Sequence, residues 1–452
     1  MKIPHWPIYN GPNKDFENTI PRVKYILSKL DNPHLKLKNI IHITGTKGKG
    51  STALYISNIL RSCGYKVNTY TSPHIYECNE RILLDGQKIS DEKLYELTET
   101  IRCICEEDKK VDKVIEPAMF EALTCSAFVA MAENNADYNV IEVGMGAIND
   151  ATNVFDLNPP IACVFTPIHL DHTKFLGNKV SDVAWKKSFL MKIGVKNVIL
   201  SSQAREAIDV LQNVAKSLNI KNVFTYKEDY EVFKNEDSGE FVYENKTLDV
   251  CFPFIQPNMQ GDYQLINCGC AITTCLLLQK ENILHNLSID AINQGIRKTV
   301  NIVRMQKIKT GRLVDMLPEG SIFYVDGAHN QLASHALSNW ISDFKKQHND
   351  YKIVVAVART KGVDNAAFLE EFLDTSRKSI IDLLICTRAN LESIPEPPEI
   401  IAKAGEKLGF NYVIAYNIIE VLQKTKEFAN QQKVLLICTG SLYIARDITM
   451  FK

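Results

Sequence analysis

The chain alternates between short apolar runs and longer stretches whose apolar residues recur at helical spacing. The first such unit reads KNIIHITGTKGKGSTALYISNILRSCGYKVNTYTS, from Lys38 to Ser72. Its first apolar run is typical of a buried strand, the middle segment is typical of a helix that ends at Gly64, and a second strand follows. A strand, loop, helix and strand in this order predict a parallel sheet with helices packed on its faces.

The same pattern continues to about residue 300. Further strand-like runs are YNVIEVGMG, PIACVFTPI and VKNVILSS, and helix-like stretches are SDEKLYELTETIRCICEED and PAMFEALTCSAFVAMAENN. Between about residues 222 and 256 the residues alternate and turn signals appear, which predicts a small antiparallel appendage. A helix, YQLINCGCAITTCLLLQKE, is predicted to follow it.

A second α/β series begins after about residue 300. Its strand-like runs are SIFYVDGA, YKIVVAVA, IIDLLICT, FNYVIAYN and KVLLICTGS. We therefore place a domain boundary near residue 300 and predict one domain over residues 1–300 and another over residues 301–452.

Composition narrows the class of protein. Apolar residues make up 45% of the 452 residues and charged residues 23%, as in globular proteins with a sizeable core. The formal charge of −1 gives no electrostatic reason to expect a nucleic-acid partner. No apolar run approaches the roughly 18 residues of a membrane span, and the N-terminus lacks the apolar stretch of a secretory signal. We expect a cytoplasmic protein without a membrane partner.

The twelve cysteines are scattered through core-like runs. Their two close pairs have C-x-C spacing rather than C-x-x-C. We interpret the cysteines as small buried hydrophobes in a reducing compartment, with a zinc site as the alternative.

The loop TGTKGKGST, from Thr44 to Thr52, carries the clearest chemical signal. Its glycines allow tight turns, so that backbone N–H groups and the following helix N-terminus can point at an anion. Lys49 would add positive charge, and Ser51 or Thr52 a hydroxyl for Mg²⁺ or a phosphate oxygen. The spacing is two residues shorter than the usual G-x-x-x-x-G-K-[ST] loop, and the alternative is a turn that only caps the helix. The predicted phosphate-binding residues here are Gly45, Thr46, Lys47, Gly48, Lys49, Gly50 and Ser51, and the resemblance given next implies that the phosphates are those of ATP.

The loop and the block YTSPHIYECNERI behind it resemble the folylpolyglutamate synthase/dihydrofolate synthase family of the Mur ligase superfamily. Further matching blocks occur in the same order along nearly the whole chain: FEALTCSAF, EVGMGAINDATN, LDHTKFLG, QGDYQLIN, YVDGAHN and LLICTGSLY. The resemblance implies an ATP-dependent ligase that adds L-glutamate to dihydropteroate, or to the γ-carboxylate of (tetrahydro)folate glutamate tails, through an acyl phosphate. It also implies a monomer that acts on small molecules.

The predicted fold class follows from both arguments. We expect an α/β protein whose N-terminal, P-loop-type ATPase domain has a mostly parallel sheet and also holds the folate site. The C-terminal domain is expected to be a Rossmann-like α/β domain that completes the glutamate ligase.

Three polar residues stand at predicted strand ends. Ser72 closes the second strand, Glu142 lies in an otherwise apolar run, and His172 follows the run IACVFTPI. Open α/β sheets bind ligands at the carboxyl ends of their strands, and a buried carboxylate needs a metal or a strong partner. The resemblance implies that all three are Mg²⁺ ligands, with Glu142 and His172 also catalytic. The alternatives are a salt-bridged glutamate and a core histidine.

Lys187, in VAWKKSFL, matches a family lysine that CO₂ converts to a carbamate. The resemblance implies that this carbamate is catalytic and helps to hold a second Mg²⁺, because the modification turns a cation into an oxygen ligand. Lys186 is the competing candidate, and a basic helix face is the alternative interpretation.

The resemblance also implies further ligand contacts. Asn267, Arg304, Asp326 and His329 are expected to bind ATP, the last three from the C-terminal domain, and an Asx turn is the alternative for Asp326. Domain closure would bring Arg304 and Asp326 over the nucleotide and exclude water.

The substrate end of the site is expected in two blocks. In AMFEALT, Phe120 is a candidate for stacking and Glu121 for accepting a hydrogen bond, with a helix N-terminal turn as the alternative. In DATN, Asp150, Thr152 and Asn153 would lie beside the reacting carboxylate.

Three departures from the family pattern keep other functions open. Ile148 replaces an arginine, NIVR stands where WPGR is usual, and Tyr263 replaces a histidine. The alternatives are a catalytically impaired folate- or nucleotide-binding homologue and a peptidoglycan ligase that acts on a UDP-sugar peptide.

Overall fold

The computed structural model describes residues 16–109, 116–171, 173–259, 261–300, 305–390 and 394–449. The chain forms two compact units. The first consists of Met1–Asn258 and Asp262–Val300, and the second of Met259–Gly261 and Asn301–Lys452. The functions assigned above to residues 1–300 and 301–452 stay predictions.

The first unit is built on a sheet of eight strands. These are β1 (Ile40–Thr44), β2 (Val67–Tyr70), β3 (Ile82–Leu84), β4 (Gln87–Lys88), β5 (Tyr138–Glu142), β6 (Ala162–Phe165), β7 (Asn197–Leu200) and β8 (Asn222–Thr225). Their order is β4-β3-β2-β5-β1-β6-β7-β8, and all neighbours pair in parallel except β2 with β3 and β3 with β4. Strands β1, β2, β5, β6 and β7 are buried at every position, which explains their continuous apolar runs.

Helices cover this sheet. They are α1 (Thr19–Lys29), α2 (Lys49–Ser62), α3 (Asp91–Lys109), α4 (Met119–Asn134), α5 (Thr173–Leu176), α6 (Val180–Ser188), α7 (Arg205–Ser217), α8 (Asp262–Lys280) and α9 (Ile289–Lys298). The apolar sides of α1, α3 and α4 form one core with β1, β2 and β5. Those of α6 and α7 form another with β6 and β7, while α2 packs against α8 and α9.

A small antiparallel sheet follows β8. Its strands are β9 (Tyr230–Lys234), β10 (Phe241–Asn245) and β11 (Val250–Phe254), which confirms an appendage in this region. The expectation that the appendage begins at about residue 222 is wrong, because β8 pairs in parallel with β7 at the edge of the large sheet. The residues of β8 continue directly into the alternating stretch that follows them, and only their pairing with β7 assigns them to the large sheet.

The second unit has a six-stranded sheet. Its strands are β12 (Gln306–Ile308), β13 (Ile322–Val325), β14 (Lys352–Ala358), β15 (Leu383–Thr387), β16 (Tyr412–Ile414) and β17 (Val434–Thr439), in the order β12-β13-β17-β14-β15-β16. Only β12, which the sequence did not predict, pairs antiparallel among these strands. The helices are α10 (Arg312–Asp315), α11 (Gln331–Gln347), α12 (Asn365–Glu370), α13 (Pro398–Lys407), α14 (Ile418–Ala429) and α15 (Leu442–Thr449). The predicted α/β fold class of both parts of the chain is confirmed.

Two further features bear on the expectations from composition. Within the ranges that the structure describes, no helix is both long enough and apolar enough to cross a bilayer. All twelve cysteines are free thiols, and ten are buried, but Cys103 and Cys251 are exposed. The interpretation of the cysteines as buried hydrophobes is therefore wrong for these two.

Candidate functional site

The glycine-rich loop connects the end of β1 to the start of α2. Gly45 has φ +145° and Gly48 has φ +84°, both in the region that favours glycine. A Cβ atom on Gly45 would lie 1.9 Å from Oγ1 of Thr166 and 2.7 Å from its carbonyl oxygen. The backbone of the loop therefore requires glycine at position 45.

The amides of the loop divide into two groups. Thr46 N and Lys47 N donate to the carbonyl oxygen of Pro167, at 2.8 and 3.3 Å. The first N–H groups of a helix have no partner within that helix and carry a partial positive charge. Since α2 begins at Lys49, an anion at the loop is predicted to meet the amides of the first turn of this helix, whereas the amides of Thr46 and Lys47 hold the loop to Pro167.

Glu142, Ser72 and Lys49 come together beside this loop. Glu142, at the end of β5, is 3% exposed, and its Oε2 accepts a hydrogen bond from Ser72 N at 2.9 Å. Its Oε1 lies 3.9 Å from Nζ of Lys49. The carboxylate of Glu142 and the hydroxyl of Ser72 are oxygen donors of the kind that Mg²⁺ takes, so these residues fit the predicted ion. His172 lies outside the described residues.

Lys187 occupies a buried position in α6. Lys187 is only 3% exposed, and its Nζ donates a hydrogen bond to the carbonyl oxygen of Gly45 at 2.8 Å. Burial lowers the pKa of Lys187 to about 7, and the charge of Lys49 acts in the same direction. A neutral amine is the form that can react with CO₂, so this environment suits the predicted modification.

Asp150 is held in place by a buried chain of hydrogen bonds. Its Oδ2 accepts from Met145 N at 2.8 Å, and its Oδ1 accepts from Thr152 N at 3.0 Å and Thr152 Oγ1 at 2.6 Å. Nε2 of His42 lies 2.9 Å from the same Thr152 hydroxyl. Burial lowers the pKa of His42 to about 3, so the imidazole is neutral. Burial raises the pKa of Asp150, while the hydrogen bonds from Thr152 and Met145 oppose that shift.

The sequence did not single out His42. The available signal was one polar side chain inside an otherwise apolar strand. Thr152 is fully buried between His42 and Asp150. Asn153 is 2% exposed, and its Nδ2 donates to the carbonyl oxygen of Ala147 at 2.9 Å. Both side chains orient the DATN block, and their predicted contact with substrate stays a prediction.

Phe120, at the start of α4, lies beside Asp150. Its ring stacks on Tyr70, with centroids 6.1 Å apart and an interplanar angle of 24°. A Cβ atom on Gly144 would lie 2.6 Å from Cζ of Phe120 and 3.1 Å from Oδ2 of Asp150. The structure therefore brings two of the predicted substrate residues to the same place.

Glu121 is engaged within the protein. Its two carboxylate oxygens accept from Nε and Nη2 of Arg22, each at 2.8 Å. Thr19 Oγ1 and Ala118 N also donate to it, both at 3.0 Å. These contacts match the alternative of a residue that stabilises the helix N-terminus, and a role in substrate binding stays a prediction.

Arg22→Met is expected to lower the free energy of unfolding by about 3 kcal/mol, because the Glu121 carboxylate would stay buried without its cation. Urea denaturation with circular dichroism measures this change. The double variant Arg22→Met/Glu121→Gln should recover most of the loss, since it removes the unpaired charge. A loss below about 1 kcal/mol in the single variant would show that the pair is solvated like an exposed one.

Asn267, in α8, contacts the loop directly. A Cβ atom on Gly48 would lie 2.4 Å from Oδ1 of Asn267, and Nδ2 of Asn267 donates to Gln264 Oε1 at 3.1 Å. Asn267 is thus placed against the residue that precedes α2, where a nucleotide bound to the loop would be within reach.

The remaining predicted residues belong to the second unit. Asp326 follows β13, and its carboxylate accepts from Met305 N at 2.9 Å and Ala328 N at 2.8 Å. Nδ1 of His329 lies 2.8 Å from the carbonyl oxygen of Gly327. The contacts of Asp326 match the turn alternative, and its contact with ATP, like that of His329, stays a prediction. Arg304 lies outside the described residues.

Comparison with protein families gives two matches. Residues 43–275 match the Mur ligase middle domain. Residues 318–451 match the C-terminal domain of dihydrofolate synthetase. The first match contains the loop, Glu142, Lys187 and Asn267.

Individual proteins align over almost the whole chain. The dihydrofolate synthase/folylpolyglutamate synthase of Bacillus subtilis is 29% identical over 444 residues, which cover 94% of this chain and 93% of that protein. The dihydrofolate synthetase of Saccharomyces cerevisiae is 27% identical over 95% of this chain and 96% of its own. The crystal structure of folylpolyglutamate synthase from Thermotoga maritima superimposes with a TM-score of 0.78 at 27% identity, and covers 96% of this chain and 93% of that one.

Proposed function

This chain belongs to the Mur ligase family, and we propose that it is an ATP-dependent ligase for folates. It adds L-glutamate to dihydropteroate, to the γ-carboxylate of (tetrahydro)folate glutamate tails, or to both. The observation that carries the proposal is a cluster of charged groups around the glycine-rich loop. The buried amine of Lys187 donates to the carbonyl oxygen of Gly45, and the carboxylate of Glu142 lies beside Lys49 of the same loop. Such a cluster suits phosphoryl transfer to a carboxylate.

The reaction requires activation because a carboxylate oxygen is a poor leaving group. The γ-phosphoryl group of ATP moves to the acceptor carboxylate, which gives an acyl phosphate and ADP. The amine of glutamate then attacks the acyl carbon, an amide bond forms, and inorganic phosphate and a proton leave. The first step depends mainly on positioning and on neutralising phosphate charge.

The residues of the loop provide that positioning. The first-turn amides of α2 receive the β- and γ-phosphates, and Lys49 adds a positive charge. Mg²⁺ would be held by Ser72, Glu142 and His172, and a second ion by a Lys187 carbamate. The ion would neutralise charge on the transferred phosphoryl group. Asn267, Arg304, Asp326 and His329 are proposed to contact the nucleotide.

The acceptor is proposed to lie on the side of Glu142 that faces away from the glycine-rich loop and the nucleotide. Phe120 stacks on an aromatic part of the acceptor, and the DATN block with Asp150 lies beside the reacting carboxylate. We further propose that the enzyme acts as a cytoplasmic monomer on small molecules alone.

Two alternative functions differ from a folate ligase in the reaction that they predict. A peptidoglycan ligase of the same family would accept a UDP-sugar peptide, and an impaired homologue would bind ATP without turnover. The relatives that align over the full chain carry folate-ligase names, which favours the folate ligase over both alternatives.

The test is phosphate release by the purified protein with ATP, Mg²⁺ and L-glutamate. We expect dihydropteroate or tetrahydrofolate to stimulate release, and release with both would identify a bifunctional enzyme. Omitting glutamate is the control, because the acyl phosphate then has no amine to react with. Release only with a UDP-sugar peptide, or ATP binding without release, would contradict the proposal.

A further inference from the structure

Arg81 is a buried cation beside the proposed acceptor site. It ends the short 3₁₀ helix Cys78–Arg81 that precedes β3, and it is 8% exposed. Its Nε donates to Nδ1 of His74 at 2.9 Å, and its guanidinium carbon lies 5.9 Å from the ring centroid of Phe120. In this hydrogen bond Nδ1 of His74 is the acceptor.

The neighbours of Arg81 do not compensate its charge. In the described part of the chain its guanidinium contacts the His74 imidazole, the Phe120 ring and the Tyr70 hydroxyl but forms no ion pair with a carboxylate. Burial raises the pKa of the nearby Tyr70 to about 12, and the charge of Arg81 acts in the opposite direction. Tyr70 therefore stays a neutral phenol, and it hydrogen-bonds with Thr124 at 3.0 Å.

Arg22 in the same unit shows the usual arrangement. That partly buried guanidinium forms two hydrogen bonds with the carboxylate of Glu121. A buried charge without a partner is costly, and a guanidinium fork matches a carboxylate in geometry. Within the described residues, Arg81 lacks the carboxylate partner that Arg22 has.

The position of Arg81 indicates which anion. Its carbonyl oxygen accepts from Thr71 N at 2.9 Å, and the next residue, Ser72, donates to Glu142. Its side chain lies over Phe120, which borders Asp150. Arg81 is thus within the group of residues to which the acceptor substrate is assigned.

We propose that Arg81 binds a carboxylate at the reacting end of the acceptor substrate. This inference rests on the proposed folate-ligase function. Dihydropteroate has one carboxylate, which is the group that reacts. A folate with a glutamate tail has a reacting γ-carboxylate and an α-carboxylate that must be kept from the phosphoryl group. Arg81 recognises one of these two groups, which have the same chemistry.

Arg81→Gln tests the inference through steady-state phosphate release with each acceptor. We expect kcat/KM for the acceptor to fall about 30-fold, as for a lost charge-assisted hydrogen bond, while the KM for ATP stays within about twofold. A loss with both acceptors assigns Arg81 to the reacting carboxylate. A loss only with tetrahydrofolate assigns it to the α-carboxylate. Arg81→Lys keeps the charge without the fork and should lose about tenfold, which also serves if the glutamine variant does not fold.

Arg61→Gln is the matched control. Arg61, in α2, pairs with Asp85 at 3.3 Å near the surface, so its loss should leave both acceptors unaffected. If the Arg81 variants match this control within about twofold for both acceptors, the inference is wrong. The same holds if the KM for ATP rises as much as the KM for the acceptor.

A second measurement separates this inference from the proposed function: the increase in thermal unfolding temperature that dihydropteroate causes in the wild type and in Arg81→Gln. An active wild type with unaffected Arg81 variants would reject the inference alone. A wild type without phosphate release that dihydropteroate still stabilises, with the effect lost in Arg81→Gln, would reject the proposed function alone. A wild type that neither releases phosphate nor responds to dihydropteroate would reject both.

Discussion

Lys187→Met is expected to reduce kcat at least about a thousandfold, the scale seen when an essential catalytic group is removed. The substitution keeps the apolar stem of the side chain in its buried site but removes the nitrogen that contacts the Gly45 carbonyl and that would carry the carbamate. Phosphate release with ATP, glutamate and each acceptor measures the effect. Short carboxylic acids added to the variant should restore part of the activity, because they can supply the missing oxygen ligand.

Lys186→Met is the control for this prediction. Lys186 is the neighbouring residue in α6, and its Nζ donates to the carbonyl oxygen of Phe175 near the surface. We expect nearly full activity in this variant. If Lys186→Met is the inactive one, or if Lys187→Met keeps more than about a tenth of the activity, the assignment of the carbamate is wrong.

The pKa of Lys187 adds a pH dependence to the same prediction. Since burial lowers this pKa to about 7, the neutral fraction of the amine rises as the pH rises through about 7. Enzyme depleted of CO₂ should therefore regain activity faster at pH 8 than at pH 6 when the concentration of dissolved CO₂ is held constant.

Gly45→Ala is expected to abolish productive ATP binding, with an affinity loss of about a hundredfold or more. The new Cβ would meet the carbonyl oxygen of Thr166 at 2.7 Å as well as its hydroxyl at 1.9 Å. Backbone atoms cannot rotate away, so β1 and the Thr166 segment would have to separate, at a cost of about 3 kcal/mol of stability. Isothermal titration with a non-hydrolysable ATP analogue and urea denaturation measure the two effects.

Gly64→Ala separates crowding from backbone strain. Gly64 also has a positive φ, +92°, but a Cβ there would meet nothing within 4 Å. Its substitution should cost about 1 kcal/mol of stability and leave ATP affinity unchanged. Equal ATP affinities in the two variants would mean that the loop can relax and that the contact with Thr166 does not define the phosphate site.

The buried strands and the loop were predictable because their signals are local. Continuous apolar runs occur where both faces of a sheet are covered, and glycines spaced before a helix occur where its N-terminus is exposed to an anion. Strand β8 was misassigned because its residues continue directly into the alternating stretch that follows, and β12 was missed because two of its three residues, Gln306 and Lys307, are polar. The positions of β8 and β12 in their sheets are decided by pairing with strands that are distant in sequence.

The site was predictable to the extent that polar residues follow strands. Ser72 and Glu142 meet as expected, because the ends of neighbouring parallel strands share one edge of the sheet. The partners of other residues could not be foreseen. Glu121 is paired with Arg22 about a hundred residues away, and His42 reaches Asp150 only through Thr152. Such pairings arise from packing and leave no trace in local spacing.

Because the cysteines are distributed over both units, the alkylation rates of their thiols can report local opening of the structure. Burial raises the pKa of thiols such as Cys125, Cys163 and Cys438, so an alkylating reagent meets little thiolate until the surrounding structure opens. Cys103 and Cys251 are exposed and would be alkylated without such opening. Because Cys386 and Cys438 lie in the second unit and the other eight buried thiols in the first, their alkylation rates would report the opening of each unit separately.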